Sequence, residues 1–307
     1  MHTAYLTHPE CLKHSMGDWH PESPLRLRAI DDRLHAAHLF DYLVHHEAPL
    51  VQRSQLLRVH DAAYLDFIEA ASPAEGLRAL DPDTSMNPHT LAAARRAAGG
   101  AVRAVDLVMH GEVNNAFVAC RPPGHHATRN QAMGFCFFNN VAVAAAHALE
   151  AHALERVAIV DFDVHHGNGT EDIFSNEPRV MLCSTFQHPF YPFRGADTAS
   201  EHIVNVPLPA GTAGRAYREA FNTQILPRLE AFHPQMLLVS AGFDGHREDD
   251  MAQFGLVEAD YVWITEQVMG VAARHAEGRI VSVLEGGYDL SSLGRSVAAH
   301  IRTLAAL

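Results

Sequence analysis

The sequence predicts an α/β fold built on a single central parallel sheet with helices on both faces. Six short apolar runs carry the strand assignment: Ala116 to Cys120, Val157 to Val160, Val180 to Cys183, Ile203 to Val206, Met236 to Ser240 and Ile280 to Leu284. They are mostly apolar rather than alternating, interrupted only by Asn205, Ser240 and Ser282, as expected of parallel strands covered on both sides. Stretches with helical spacing lie between many of them, and alternating strand and helix argues for a parallel sheet wrapped by helices. A third observation orients the molecule: polar motifs follow four of the runs directly, and in such sheets ligands collect at the carboxyl ends of the strands.

In chain order, "TLAAARRAAGGAVRAVDLVMHG" (residues 90–111) precedes the first run and "NNVAVAAAHALEAHALE" (139–155) precedes the second. "EADYVWITEQVMGVAARHAEG" (258–278) precedes the last. All three are alanine-rich or amphipathic and bounded by a polar cap or a terminal glycine. The segment from Phe186 to Glu201 is long and aromatic, so it is expected to shape a pocket mouth. No repeat, linker or low-complexity tail divides the chain, and residues 1–307 read as one domain.

Composition narrows the function. With 307 residues, 48% hydrophobic and 19% charged, the chain is a globular protein with a sizeable core. No apolar run reaches the roughly 18 residues that cross a bilayer, and "MHTAYLTHPE" lacks the order of a signal peptide, so the expected location is the cytoplasm, away from membranes. A formal net charge of -13 argues against direct binding to a nucleic acid backbone. Cys11, Cys120, Cys136 and Cys183 form no CxxC pair and are expected to be reduced and buried. The oligomeric state, including a homo-oligomer, stays open.

"DFDVHHGNGT" (161–170) places two carboxylates and two imidazoles within six positions after a buried strand. Isolated buried charges are costly, so such clusters are paired or hold a metal. If the extended conformation continues past Val160, Asp161, Asp163 and His165 point to one side. With Asp244 from "AGFDGH", two carboxylates and one imidazole suit Zn²⁺ or Fe²⁺ with a position left for water. The plainer alternative is a salt-bridged strand end. "RPPGHHA" contributes His125 and His126, whose type of side chain titrates near pH 6.5 and serves as base or acid. Asp161 and Asn168 are candidates to hold their tautomers. "LEGGYD" places Tyr288 after two glycines, where a phenol can swing toward a developing oxyanion. Taken singly, the histidine pair reads as a loop accident and the tyrosine as a packed aromatic.

Together these motifs resemble the histone deacetylase superfamily, with its arginase/deacetylase fold. The similarity runs from "HPESPLRLRAI" (20–30) through "RPPGHHA", "GFCFFNN", "DFDVHHGNGT" and "SAGFD" to "LEGGYD". It is nearer the class II pattern, which includes bacterial deacetylase-like amidohydrolases, because Asn168 stands where class I enzymes carry aspartate. The resemblance implies Zn²⁺ on Asp163, His165 and Asp244, with His126 as general base and then acid. It also implies that His125 is an electrostatic partner supported by Asp161, and that Tyr288 polarises the carbonyl. A structural K⁺ is implied near Asp161, Asp163, His165 and Ser184. Phe135 and Tyr191 match the aromatic walls of an acyl-lysine tunnel, with Gly134 and Gly287 beside it and Asp83 at the substrate backbone.

The implied activity is zinc-dependent hydrolysis of an acyl, foremost acetyl, group from the amine of N-acyl-lysine in a peptide or protein. Met251 stands where the polyamine-selective branch carries a glutamate, which favours acyl-lysine over acetylpolyamine or another small acylated amine. The run Arg247-Glu248-Asp249-Asp250 nearby is expected to be a solvated loop, although a small shift could bring an acid to the gate. An arginase-like bimetal enzyme would need more clustered carboxylates than "SAGFDGH" offers. A non-catalytic acyl-lysine-binding module would be expected to lack a ligand or the tyrosine, and neither is missing.

Overall fold

A computed structural model describes residues 1–198 and 200–307; Ala199, in the aromatic loop, lies outside the described residues. Eight strands form the main sheet: β1 (Thr3–Thr7), β2 (Val44–Glu47), β3 (Asn115–Val118), β4 (Val157–Asp161), β5 (Val180–Gln187), β6 (Ile203–Leu208), β7 (Met236–Ala241) and β8 (Ile280–Leu284). Their order is β2-β1-β3-β8-β7-β4-β5-β6, and every pairing is parallel.

All six expected runs are strands. β5 and β6 run on past their apolar stretches because their ladder continues from Leu182–Ile203 to Gln187–Leu208. β1 and β2 are additional to the six expected runs. β2, "VHHE", is an edge strand with alternating exposure, so it carries no apolar run to reveal it. The central strands β3, β8, β7 and β4 are buried at every position, which requires cover on both faces.

That cover comes from two groups of helices. α1 (Leu25–Ala36), α5 (Glu258–His275) and α6 (Leu290–Leu304) pack together, and α2 (Thr90–Met109) packs with α3 (Asn140–Ala151). Gly99 lets α2 approach the 49–51 backbone, since a Cβ there would lie 2.0 Å from the Pro49 carbonyl oxygen. A shorter helix, α4 (Asn168–Phe174), follows β4. The four cysteines are free and buried. No helix is long and apolar enough to cross a membrane.

The four polar motifs follow β3, β8, β7 and β4, which are adjacent in the sheet. One stretch of its carboxyl edge therefore receives all of them.

Candidate active site

Asp163, His165 and Asp244 offer ligand atoms that all lie within 4.8 Å of one another, and all three side chains are buried. His165 Nδ1 is 3.1 Å from Asp163 Oδ1 and 3.1 Å from Asp244 Oδ2. Strand pleating does not produce this, contrary to the expectation of continued extension. β4 ends at Asp161, and two local turns take over: Asp161 Oδ1 accepts from the Asp163 amide (3.1 Å) and Asp163 Oδ1 from the His165 amide (2.8 Å). Short acidic side chains favour such turns because they can bond the backbone two residues on. As a result Asp161 leaves the donor set and faces His125. Across the ladder Asp161 is in register with Ser184, whose hydroxyl lies 3.2 Å from His166 Nδ1.

The donor set fits a divalent cation. Among the described residues, the ion-pair partners of Asp163 and Asp244 are histidines alone. Burial opposes protonation of His165, yet the two carboxylates outweigh it and push its pKa up to about 10. Asp244 rises to about 6 through burial and the charge of Asp163. The pair of acids demands positive charge between them, and a metal ion meets that demand with the imidazole neutral. Glycines give the carboxylates room: a Cβ on Gly286 would lie 2.1 Å from Asp244 Oδ2, and one on Gly242 would lie 2.0 Å from Asp163 Oδ2.

The histidine pair lies alongside, with ring centroids 4.0 Å apart. His125 Nδ1 is 2.9 Å from Asp161 Oδ2, and His126 Nδ1 is 2.8 Å from Asn168 Oδ1. Asn168 Nδ2 faces the Met133 sulfur at 3.4 Å, so its oxygen is turned to the imidazole and His126 Nδ1 is the donor. Burial resists charge on both rings. In His125 the carboxylates of Asp161 and Asp163 overcome it and raise the pKa to about 10. In His126 burial, reinforced by the charge on His125, holds the pKa well below 6.5. Opposite shifts in neighbouring groups are the usual basis for separate acid and base assignments.

Gly134, at φ +55°, lies against the edge of the His126 ring; a Cβ would be 2.4 Å from its Cδ2. Phe135 follows with φ +69°, an uncommon conformation for a bulky residue, and such strain concentrates at functional sites. Its ring meets Tyr288 edge-on at 5.9 Å. Together with His126, His165, Phe190, Tyr191 and Met251, these residues line a cavity of about 150 Å³, with exposed Asp83 also in its lining. Phe190 was not foreseen: it stacks on His165 at 5.6 Å, whereas the expected wall residue Tyr191 lies edge-on to His126 at 5.2 Å. Gly287, expected beside the substrate, is not in the lining. At φ +117° it turns its carbonyl to Arg26 Nε (2.6 Å) and acts as the bend before Tyr288.

Three further buried groups, none of them expected at the site, hold its backbone in place. The Glu285 carboxylate accepts from the amides of Gly124 (2.7 Å) and His125 (3.1 Å), tying the β8 end to the histidine loop. Arg26 binds the carbonyls of Glu285 and Gly287 and lies 5.0 Å from the Tyr288 ring centre. Glu22 bridges Arg26 and Arg121, all three fully buried. The run Arg247-Glu248-Asp249-Asp250 is only partly the solvated loop expected: its other three residues are exposed, but Asp249 is 4% exposed and points inward. It bonds backbone amides rather than entering the cavity lining, so it brings no acid to the gate.

The histone deacetylase domain model matches residues 20–304 of this sequence. The chain belongs to the histone deacetylase family. It is 40% identical over 296 residues to the histone deacetylase-like amidohydrolase of Pseudomonas aeruginosa, spanning 92% of this chain and 78% of that one. It is 37% identical over 300 residues to the mouse (Mus musculus) protein named Polyamine deacetylase HDAC10, spanning 92% of this chain and 44% of the relative. The crystal structure of the HDA15 HD domain matches with a TM-score of 0.94 at 35% identity, over 99% of this chain and 90% of that chain. The fold is thus the arginase/deacetylase fold, and the protein is a deacetylase of a metal-dependent family.

This deacetylase has a second cluster with ligand-type side chains, Asp106, His147 and His152, between the ends of α2 and α3. There Asp106 Oδ1 lies 2.7 Å from His147 Nε2 and 2.8 Å from His152 Nε2. Arg58 donates to His147 Nδ1 at 2.9 Å, so Nε2 carries the proton shared with Asp106 and is not free to ligate. The cluster is a hydrogen-bonded charge network.

Proposed function

We propose that this deacetylase hydrolyses the amide of N-acyl-lysine, with acetyl as the acyl group, using Zn²⁺ held by Asp163, His165 and Asp244. The observation that carries this reading is the narrow aromatic cavity that meets the buried donor set and histidine pair in one place. Its volume is only about 150 Å³. That suits a short acyl group on a slender stem. Phe135, Phe190 and Tyr191 offer apolar surface to the lysine methylenes, and Met251 offers no charge to a second ammonium.

The chain's own groups supply the proton transfers. His126 keeps its Nδ1 proton on Asn168, which leaves Nε2 to take a proton from the attacking water. Its depressed pKa keeps the ring neutral and able to accept. His125, charged and held by Asp161, sets a positive potential beside the reacting centre. As the carbonyl carbon becomes tetrahedral, the Tyr288 hydroxyl donates to the oxygen that gains negative charge. His126 then returns its proton to the nitrogen, the C–N bond breaks, and a carboxylate and a free amine leave. A divalent cation bound at the donor set supplies Lewis acidity toward the carbonyl and lowers the pKa of water. A K⁺ ion near Asp161, Asp163, His165 and Ser184 has a structural part in this reading, and the enzyme works in the cytoplasm.

A second reading, an acetylpolyamine substrate, is favoured by exposed Asp83 at the cavity lining. A panel of acetyl-lysine peptides and acetylated polyamines on zinc-loaded enzyme decides between them. Higher kcat/KM on the peptides is expected; faster turnover of the polyamines would overturn the substrate assignment while leaving the chemistry in place.

A further inference from the structure

Asp249 is almost fully buried, although its neighbours in the charged run are exposed. Taking a carboxylate out of water costs several kcal/mol unless strong hydrogen bonds replace the lost hydration. Among the described residues no lysine or arginine pairs with it. Three backbone amides compensate instead: Oδ1 accepts from Met251 (3.0 Å), and Oδ2 accepts from Tyr288 (2.6 Å) and Asp289 (3.0 Å). Amide bonds to an ionised acceptor are the strong kind. Asp289 is also the N-cap of α6, its side chain accepting from Ser292 at 2.7 Å, so the carboxylate sits at a helix start where negative charge is favoured.

The consequence is geometric. The backbone leading into Tyr288 is held from two sides, by Arg26 on the Gly287 carbonyl and by Asp249 on the Tyr288 amide. The other oxygen of the same carboxylate holds Met251, which shares the cavity lining with Tyr288. Gly287 at φ +117° would otherwise leave this segment free to pivot. We propose that Asp249 is a positioning residue: it fixes the Tyr288 hydroxyl relative to the cavity and sets the Met251 wall with the same carboxylate. This rests on the reading of Tyr288 as the group that donates to the oxyanion.

A double-mutant cycle tests it. Asp249→Ala should lower kcat by about 10- to 100-fold, the scale on which a misplacement of ~1 Å acts, with KM for an acetyl-lysine peptide changing less. In a Tyr288→Phe background the same substitution should cost almost nothing more, because the hydroxyl it positions is gone. Asp249→Asn keeps one acceptor oxygen for the Tyr288 and Asp289 amides and should recover part of the loss. It also serves for the cycle should the alanine variant fail to fold. Equal losses in the parent and in the Tyr288→Phe background would overturn the positioning role while leaving Tyr288 in place. Near-normal turnover of Tyr288→Phe alone would instead remove the tyrosine from its role and this proposal with it.

Discussion

His126→Ala should lower turnover of an acyl-lysine peptide by about 10²- to 10⁴-fold, the range over which a positioned general base acts, with the protein still folded. His126 borders the cavity, so the vacated space opens to water and Asn168 Oδ1 can be hydrated there. The loss should fall in kcat, because the ring acts on the proton in flight rather than on the bound stem. In the unmutated enzyme the depressed pKa places the acid limb of kcat/KM below pH 6.5: the neutral base persists as pH falls, and activity goes only when the ring protonates. Steady-state kinetics with a circular dichroism control measure both features, and a kcat within threefold of the parent would remove His126 as the base.

Tyr288→Phe is the cleaner experiment, expected to cost about 10²- to 10³-fold in kcat, as for other single oxyanion donors. Burial holds the phenol pKa well above 10, so the hydroxyl keeps the proton it must donate. Among the described residues it has no hydrogen-bond partner, so deleting it strands no buried group. Unfolding free energies of the two proteins should therefore agree to within about 0.5 kcal/mol. A drop in stability with unchanged kcat would show a structural tyrosine instead.

The sequence made the framework legible where physics acts locally. Six short, mostly apolar runs mark six strands, and the motifs that follow four of them converge because those four strands are neighbours. His126, His165 and Tyr288 line one cavity, with Asp163 and Asp244 bonded to His165 and His125 packed on His126. Glu285 carries the same sequence signal as Asp161, an acid directly after a buried strand. Arg26 and Asp249 had no local signal. Arg26 is fixed by carbonyls about 260 residues away, and Asp249 is buried by amides 39 and 40 residues downstream that nothing in "REDD" announces. Phe190 and Tyr191 are adjacent aromatics that both line the cavity, and sequence alone does not separate their parts. The turns that arrange residues 161–165 replaced the predicted pleat because each aspartate bonds the amide two residues ahead.

The central claim is that three buried side chains hold one divalent cation on which amide hydrolysis depends. The most direct measurement strips the protein with a chelator, titrates Zn²⁺ back, and follows metal content and acetyl-lysine turnover together. Activity should fall to background and return in full at one equivalent per chain, while Asp163→Ala should neither retain the metal nor recover. Undiminished turnover by the stripped protein would contradict the account.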